Sequence, residues 1–277
     1  MMKKIILFFV ISAVVSLSSC TGNGSVAGRV EGDTVSFKYA RHITIVKYKD
    51  YSVVSLVDPW KQGKILHTYV LAPRSVSLPT SLPEGTVVRT PLTRSAVFTT
   101  AHCQLLEYLG KGGSIKGVAD LKYILIPDIQ QRVRQKKIVD CGESMSPIVE
   151  RIIDLNPDGI ILSPFENSGG YGRLGNIGIP LIEAADYMET SPLGRAEWMK
   201  FYGMLYGCET LADSLFRAVD STYTALKRAA CKLPVGHSIL TERKTGSVWY
   251  CPAGGSTIGQ MIRDANGRYA FSYDRHS

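Results

Sequence analysis

The sequence predicts an α/β fold in which two Rossmann-like lobes are joined by a long linking helix and preceded by an N-terminal antiparallel β extension. Three patterns support this prediction. Short β-rich runs come first, strands then alternate with helices in two separate stretches, and a long segment of helical periodicity lies between those stretches. A chain of 277 residues is long enough for two modest lobes, so its length agrees with this organisation.

The first 20 residues have the layout of a secretory signal. Lys3 and Lys4 precede an apolar run over residues 5–17 that is too short for a comfortable bilayer span, and two serines then lead to Cys20. The end of this segment resembles that of a bacterial lipoprotein signal, in which the cysteine thiol is diacylated and the preceding peptide is removed. We therefore expect Cys20 to be the lipidation site, and the mature protein to lie in the periplasm, anchored to a bacterial membrane by lipid. The alternative is an ordinary signal followed by a stray cysteine.

A flexible tether and a β-rich extension are predicted next. Residues 21–35 are rich in glycine, serine and asparagine, as expected of a spacer between a lipid and a folded domain. The extension, residues 36–90, has β-rich runs at 43–48, 51–57 and 65–71. Because the first two runs are separated by a very short connection, we predict a hairpin and an antiparallel meander, followed by a proline-rich link from Pro73 to Pro91.

The first α/β lobe is predicted over residues 91–192. Strands are expected at 96–100, 159–162 and 179–183, and helices at 101–109 and 147–155. This alternation predicts a mostly parallel sheet flanked by helices. Such sheets bind ligands at the carboxyl ends of their strands, which here are the neighbourhoods of residues 99–102, 163–173 and 185–188.

The linking helix is predicted over residues 193–232, because Gly203 and Gly207 are almost its only interruptions, and we expect a break near Gly207. A second pattern then begins, with strands at 238–240 and 247–250 and a helix at 257–264. The pattern stops at Ser277, so we expect the second lobe, residues 233–277, to be incomplete.

Charge and cysteine content exclude several classes of function. The formal charge is +8, but the densest basic cluster, Arg132 to Lys137, has no interleaved aromatic residues. We interpret it as a solvated helix or turn face and expect no nucleic-acid partner. The five cysteines beyond Cys20 form no C-x-x-C motif, so we expect no metal site and no cofactor and interpret the cysteines mostly as small buried residues. One disulfide is compatible with an oxidising periplasm, but the sequence does not select a pair.

Three stretches carry a family resemblance. Residues 147–162 combine a short helix, the motif Leu-Asn-Pro-Asp and an apolar strand. Residues 197–203 lie near the start of the predicted linking helix. The third stretch lies at the start of the predicted second lobe and consists of Trp249, Gly254-Gly255 and residues 262–267. Together with the element order, over about residues 87–271, they resemble the substrate-binding proteins of ABC importers for ferric siderophores, haem and cobalamin. The β extension looks like one found in some lipoprotein members.

The resemblance implies that a carboxylate on each lobe docks onto arginines of the membrane permease. In the first lobe this role falls on Glu150, which alternatively is a solvated helix carboxylate paired with a neighbouring base. The second docking carboxylate would lie beyond Ser277.

The candidate ligand-binding residues lie near the expected strand ends or in the second lobe. Aromatic side chains are candidates for packing on a flat macrocycle or catecholate, and Lys122 and Arg173 for meeting a carboxylate or phosphate. His102 is a candidate ligand of haem or iron, or else a local hydrogen-bonding residue. The full set is Thr100, His102, Lys122, Tyr123, Phe165, Glu166, Asn167, Tyr171, Arg173, Tyr187 and Trp249.

Two catalytic or cofactor motifs are rejected. Residues 170–175 fit G-x-G-x-x-G, but too few residues follow them for the helix that a dinucleotide site requires, so a mobile loop at the cleft is expected instead. Ser256 follows two glycines, yet G-x-S-x-G fails at Ile258 and no acid and base are set out downstream. We predict that the protein is not an enzyme.

The sequence therefore predicts a monomeric periplasmic solute-binding lipoprotein that captures an iron complex, as a siderophore or haem, or cobalamin, and delivers it to an ABC transporter permease. One alternative is a surface haem- or corrinoid-capturing lipoprotein that works with an outer-membrane receptor. The other is a lipoprotein hydrolase with an unrecognised site.

Overall fold

The computed structural model describes residues 32–166 and 170–275. The predicted signal peptide, the lipidation site Cys20, most of the tether and Asn167 lie outside the described residues. The strands are β1 Asp33–Thr34, β2 Ile43–Lys47, β3 Ser52–Val57, β4 Ile65–Pro73, β5 Thr86–Thr90, β6 Ser95–Val97, β7 Ile115–Val118, β8 Val139–Asp140, β9 Gly142–Glu143, β10 Ser146–Pro147, β11 Gly159–Leu162, β12 Leu181–Glu183, β13 Ser238–Ile239, β14 Lys244–Thr245, β15 Val248–Trp249 and β16 Arg268–Tyr269. The helices are α1 Thr100–Tyr108, α2 Pro127–Arg134, α3 Val149–Leu155, α4 Pro192–Glu197, α5 Met199–Tyr206, α6 Glu209–Ala230 and α7 Thr257–Asp264.

The N-terminal sheet has the order β1-β2-β3-β4-β5. Neighbours from β1 to β4 pair antiparallel, which confirms the predicted hairpin and meander. Two predictions are corrected. β5 lies inside the predicted proline-rich link and pairs parallel with β4, and β1 takes up residues 33 and 34 of the predicted tether.

The second sheet consists of five parallel strands in the order β12-β11-β6-β7-β8. The parallel arrangement was predicted, but strands β7 and β8 were not. The chain starts this sheet at β6, moves outward through β7 and β8, and then crosses to β11 on the other side. The direction of winding therefore reverses between β6 and β11. A crevice opens at such a switch point, beyond the carboxyl ends of the two strands.

The two sheets share one apolar core. Ile45 and Tyr69 of the N-terminal sheet belong to the same buried cluster as Leu106, Ile161 and Phe201. The opposite face of the parallel sheet packs on α3 through a second cluster. The β extension therefore packs against the parallel sheet and its helices through this shared apolar core.

Tyr69 also covers the free edge of the parallel sheet. Its hydroxyl donates to the carbonyl of Leu181 at 3.0 Å and accepts the backbone N–H of Glu183 at 2.8 Å. These are two of the unpaired backbone groups of edge strand β12, which would otherwise lack partners inside the protein. The side chain is fully buried.

The predicted linking helix is divided into α4, α5 and α6. The expected break at Gly207 is confirmed, since this residue ends α5 with a φ of 62°. A further break occurs at Trp198, which is buried and donates its indole N–H to Glu189 at 2.9 Å. The longest uninterrupted helix is α6, with 22 residues, or about 33 Å.

Two buried carboxylates clamp the segment before β2. Glu197 accepts the backbone N–H groups of Lys38, Tyr39 and Ala40 at 3.0, 2.7 and 3.0 Å. Glu189 accepts those of Arg41 and His42, both at 2.9 Å. These bonds attach residues 38–42 to helix α4 and to the segment that precedes it.

The C-terminal part contains α7, the parallel pair β13 and β16, and the hairpin of β14 and β15. The helix and strands predicted there are present, although the strands are shorter than predicted. The division of the chain into two lobes and a linker stays a prediction. In the described ranges, no helix is both long enough and apolar enough to cross a bilayer.

The cysteines are more exposed than predicted. Cys103 and Cys141 are buried, whereas Cys208 and Cys251 are half-buried and Cys231 is exposed, and all five are free thiols. Burial raises the pKa of Cys103 to about 12 and that of Cys141 to about 11, so these two thiols are unreactive near neutral pH.

Candidate functional site

A cavity of about 280 Å³ opens at the switch point between β6 and β11. Its walls come from the ends of these two strands, from the turn between β9 and β10, and from the glycine-rich loop that follows β11. The lining residues are Phe98, Thr99, Ser144, Met145, Pro147, Leu162, Ser163, Phe165, Gly170, Tyr171, Gly172 and Leu174. Two of the three predicted strand-end neighbourhoods, 99–102 and 163–173, thus contribute to one pocket, whereas 185–188 contributes no lining residue.

The described part of the lining carries aromatic and aliphatic side chains and a few hydroxyls, but no carboxylate, ammonium, guanidinium or imidazole group. One hydroxyl is already engaged, because Ser144 donates to Asp120 at 2.5 Å. Such a wall packs against an apolar or aromatic surface and accepts or donates a few hydrogen bonds. It gives little compensation to a ligand with a large net charge, whose desolvation would cost free energy.

Tyr171 is the best-anchored side chain in this wall. Its hydroxyl donates to Glu183 Oε1 at 2.6 Å, and the other oxygen of Glu183 lies 2.9 Å from His67 Nδ1. Burial raises the pKa of the Tyr171 phenol, and the Glu183 carboxylate raises it further. The phenol therefore stays protonated at neutral pH and keeps its hydrogen bond.

Tyr187 holds the first residues of the segment that follows β11. The Tyr187 hydroxyl donates to the carbonyl of Pro164 at 2.6 Å, next to Phe165, which is 40% exposed and lines the cavity. Tyr187 thus supports the wall without being part of the lining. Glu166 is exposed and does not line the cavity.

His102 faces the protein interior. It is 4% exposed, with Nδ1 at 2.6 Å from Thr99 Oγ1 and Nε2 at 2.9 Å from Asp186 Oδ1. Both ring nitrogens therefore have partners within the fold. The sequence had left open a local hydrogen-bonding role for this histidine, and its geometry is of that kind, so we do not include it among the proposed ligand contacts.

Thr100, Lys122 and Tyr123 lie together at the end of β7, outside the cavity lining. Thr100 donates to the carbonyl of Tyr123 at 3.2 Å, and Lys122 pairs with Glu143 at 2.9 Å. Tyr123 is 65% exposed. Trp249 lies on β15 in the C-terminal part and is not in the lining either.

Glu150 and Arg173, predicted to serve docking and ligand binding separately, form an ion pair with each other. Arg173 donates to Glu150 Oε1 at 2.7 Å, and both side chains are well exposed. The pKa of Glu150 is lowered, first by its own backbone N–H at the start of α3 and then by Arg173. Glu150 is therefore an ionised surface carboxylate beside the cavity.

The rejected motifs have other local roles. Residues Gly172–Asn176 form a short 3₁₀ helix rather than the α-helix start that a dinucleotide site needs. Ser256 caps α7, accepting the N–H of Gly259 at 3.2 Å and donating to the carbonyl of Ala253 at 2.6 Å. Over the described ranges, no cluster of three or more histidine, cysteine or acidic side chains is arranged to hold a metal ion.

Sequence reasoning missed part of the lining, notably Phe98, Met145 and Leu174. Phe98 lies inside the strand predicted at 96–100 but directly follows the observed β6, so the strand end comes earlier than predicted. Met145 is brought in by the β9 and β10 turn, which no sequence pattern indicated. A wider groove of about 740 Å³ between α6 and α7 was also not expected.

The sequence model of a family described as "Periplasmic binding protein" matches residues 96–277. An uncharacterized lipoprotein of Methanocaldococcus jannaschii is 25% identical over 264 residues, which cover 86% of this chain and 62% of the relative. The chain thus spans less than two thirds of that relative's length.

Solved structures show the same fold. A periplasmic binding protein from Veillonella parvula superposes with a TM-score of 0.57 at 12% identity, covering 80% of this chain and 68% of its own. An ABC-type Fe³⁺-hydroxamate transport system from Saccharomonospora viridis gives a TM-score of 0.52 at 18% identity, covering 67% of each chain.

Proposed function

Because this chain belongs to the periplasmic binding protein family, a family of solute-binding proteins rather than enzymes, we propose that it captures an iron complex or a corrinoid and delivers it to an ABC transporter permease. The observation that carries this proposal is the cavity at the switch point of the parallel sheet. It lies where ligands bind in such sheets, and its wall suits the ligand periphery of a metal complex.

The wall further favours a complex of low net charge. A ferric trihydroxamate carries no net charge at its iron centre, whereas a ferric tris-catecholate carries several negative charges. The described lining has no cationic side chain to balance such charges. At about 280 Å³ the cavity is at the small end for ligand pockets, so it takes one part of the complex.

A titration tests the capture of a ligand. The full chain is titrated with a ferric trihydroxamate, a ferric tris-catecholate, haem and cobalamin, and binding is followed by tryptophan quenching. We expect saturable binding of the trihydroxamate at submicromolar concentration and weaker binding of the tris-catecholate. Failure to bind any of the four would reject the proposal.

Matched variants locate the binding site. Phe165→Ala removes an aromatic face from the cavity wall and should weaken binding about tenfold, as expected for loss of a large apolar contact. Tyr108→Ala removes an exposed aromatic residue of α1 that does not line the cavity, so it should leave affinity unchanged. Equal effects of the two changes would place the binding site elsewhere.

Delivery to a permease is proposed to use Glu150. Glu150→Lys should abolish ligand uptake by cells and leave ligand affinity of the purified protein unchanged, because the side chain is exposed and lies outside the lining. Asp154→Lys, an exposed acidic position on the same helix, is the matched control. The alternative function with an outer-membrane receptor predicts that neither change affects uptake.

Membrane anchoring is proposed to use Cys20. The signal layout supports it, and Cys20→Ser should abolish incorporation of labelled fatty acid and release the protein from the membrane fraction. Retention of the label by this variant would contradict the proposal.

A further inference from the structure

The N-terminal sheet lies outside the part of the chain that matches the family, yet it contacts the support of the cavity wall. The match begins at residue 96, whereas His67 and Tyr69 belong to β4. Their rings stack with centroids 4.4 Å apart, and Tyr69 bonds the backbone on both sides of Ile182. The side chain that connects this sheet to the wall is Glu183, at the end of β12.

Glu183 joins the two sides through its two carboxylate oxygens. Oε1 accepts the Tyr171 hydroxyl at 2.6 Å, and Oε2 lies 2.9 Å from His67 Nδ1. His67 Nε2 in turn lies 2.7 Å from the hydroxyl of Thr86 on β5. The tautomer with hydrogen on Nδ1 fits both contacts, because the ring then donates to the carboxylate and accepts from the threonine.

The carboxylate at the centre of this connection is buried, whereas the side chain of His67 is partly exposed. Glu183 is 8% exposed, and it has no other side-chain partner among the bonds of the described residues. A buried carboxylate needs such partners, since an unpaired buried charge is strongly destabilising. Both Tyr171 and His67 are therefore held in defined positions by Glu183.

We propose that the N-terminal sheet takes part in ligand capture, with His67 and Glu183 as positioning residues that fix Tyr171 and the adjoining residues 170–176 in the cavity wall. This inference rests on the proposed function and adds to it. Since the phenol hydrogen is committed to Glu183, Tyr171 lines the cavity without a hydrogen to donate to a ligand. The ligand group next to it is then an aromatic or aliphatic surface or a hydrogen-bond donor.

The first test needs no ligand. Hydrogen exchange of the amides in residues 170–176 is measured in the full chain for the wild type, His67→Ala and Tyr171→Phe. We expect exchange to rise about tenfold in both variants, as loss of a hydrogen bond to a charged group implies. His67→Asn keeps a donor near the carboxylate and should restore most of the protection, while His237→Ala, an exposed histidine in the C-terminal part, is the control. Unchanged exchange in both variants would overturn the inference.

The second test uses a ferric trihydroxamate as probe. His67→Ala and Tyr171→Phe should each weaken binding about tenfold, and the double variant should bind no more weakly than Tyr171→Phe alone, because both changes break the same connection. Additive losses, or unchanged affinity alongside faster exchange, would overturn the role in capture. Absence of binding by the wild type would instead reject the proposed function, and the exchange data would still decide whether the sheet positions Tyr171.

Discussion

Glu197 is a fully buried carboxylate whose partners are mostly backbone groups. It accepts three backbone N–H bonds from the segment before β2 and one bond from Lys200 at 2.8 Å. Bonds of backbone donors to a buried charge contribute more to stability than neutral pairs do. This residue therefore fastens the N-terminal segment, and its removal leaves three backbone donors without this partner, that of Ala40 in a buried residue.

Glu197→Ala should lower the free energy of unfolding by about 3 kcal/mol. The measurement is urea denaturation followed by circular dichroism. Glu209→Ala, at an exposed position in the first turn of α6, should change stability by less than about 0.5 kcal/mol. A loss below about 1 kcal/mol for Glu197→Ala would show that the clamp contributes little.

The same residue predicts a pH dependence. Burial alone would raise the pKa of Glu197, but Lys200 and the backbone N–H groups outweigh it and hold the pKa below its ordinary value. A carboxyl with a lowered folded-state pKa stabilises the fold above its unfolded-state pKa, and this stabilisation is lost as pH falls through the folded-state value. The stability difference between wild type and Glu197→Gln should therefore shrink as pH is lowered from about 5 to 3. A difference that stays constant over this range would contradict the assignment.

At the scale of elements, α5 and α6 cross closely because residue 203 has no side chain. A Cβ at Gly203 would lie 2.7 Å from Ala212 Cβ, closer than Cβ atoms approach in proteins, and 3.1 Å from Glu209 Cα, which is a tight contact. The glycine looked like a helix interruption in the sequence, but it lies within α5 and allows the neighbouring helix to approach.

Gly203→Ala should destabilise the protein by about 2 kcal/mol, because the two helices must separate to admit the methyl group. Gly113→Ala is the matched control, since a Cβ there would meet no atom within 4 Å. Thermal denaturation of both variants is the measurement, and equal midpoints would show that the helices separate without cost.

Sequence reasoning recovered some elements and missed others, among them α2, β5, β7 and β8. Strands β2, β3 and β11 and helices α1 and α7 have clear apolar patterns, and they were predicted to within a few residues. In contrast, β8 has only two residues, and β5 lies among prolines that typically mark loops. Their strand conformation depends on pairing with a neighbour already in place, and a single sequence does not show that neighbour.

At the scale of the whole molecule, we predict that the two sheets unfold as one unit, because their apolar side chains belong to one buried cluster. Hydrogen exchange at increasing denaturant should give the amides of β3 and β11 the same opening free energy. The β14 and β15 hairpin, whose residues are exposed, should exchange much earlier and serves as the internal reference. Earlier exchange of β3 than of β11 would show that the extension is an independent domain.

The location of the site followed from topology, whereas most of its contacts did not. Strand ends of a parallel sheet meet by geometry, and so Phe165 and Tyr171 were predicted near one another. The partners of each side chain depend on loop paths, and these joined Arg173 to Glu150 and turned His102 inward. Local patterns carry no information on such pairings across the fold.

The carboxylate clamp has a consequence for how quickly the chain reaches its native state. Lys38 and Glu197 are separated by 159 positions, and Ala40 and Glu197 by 157. The clamp on residues 38–40 therefore cannot form until synthesis has passed Glu197, which lies in the last third of the polypeptide. Contacts of such high sequence separation slow folding. A chain that folds slowly stays unfolded for longer, and an unfolded chain is the form that can be translocated across a membrane.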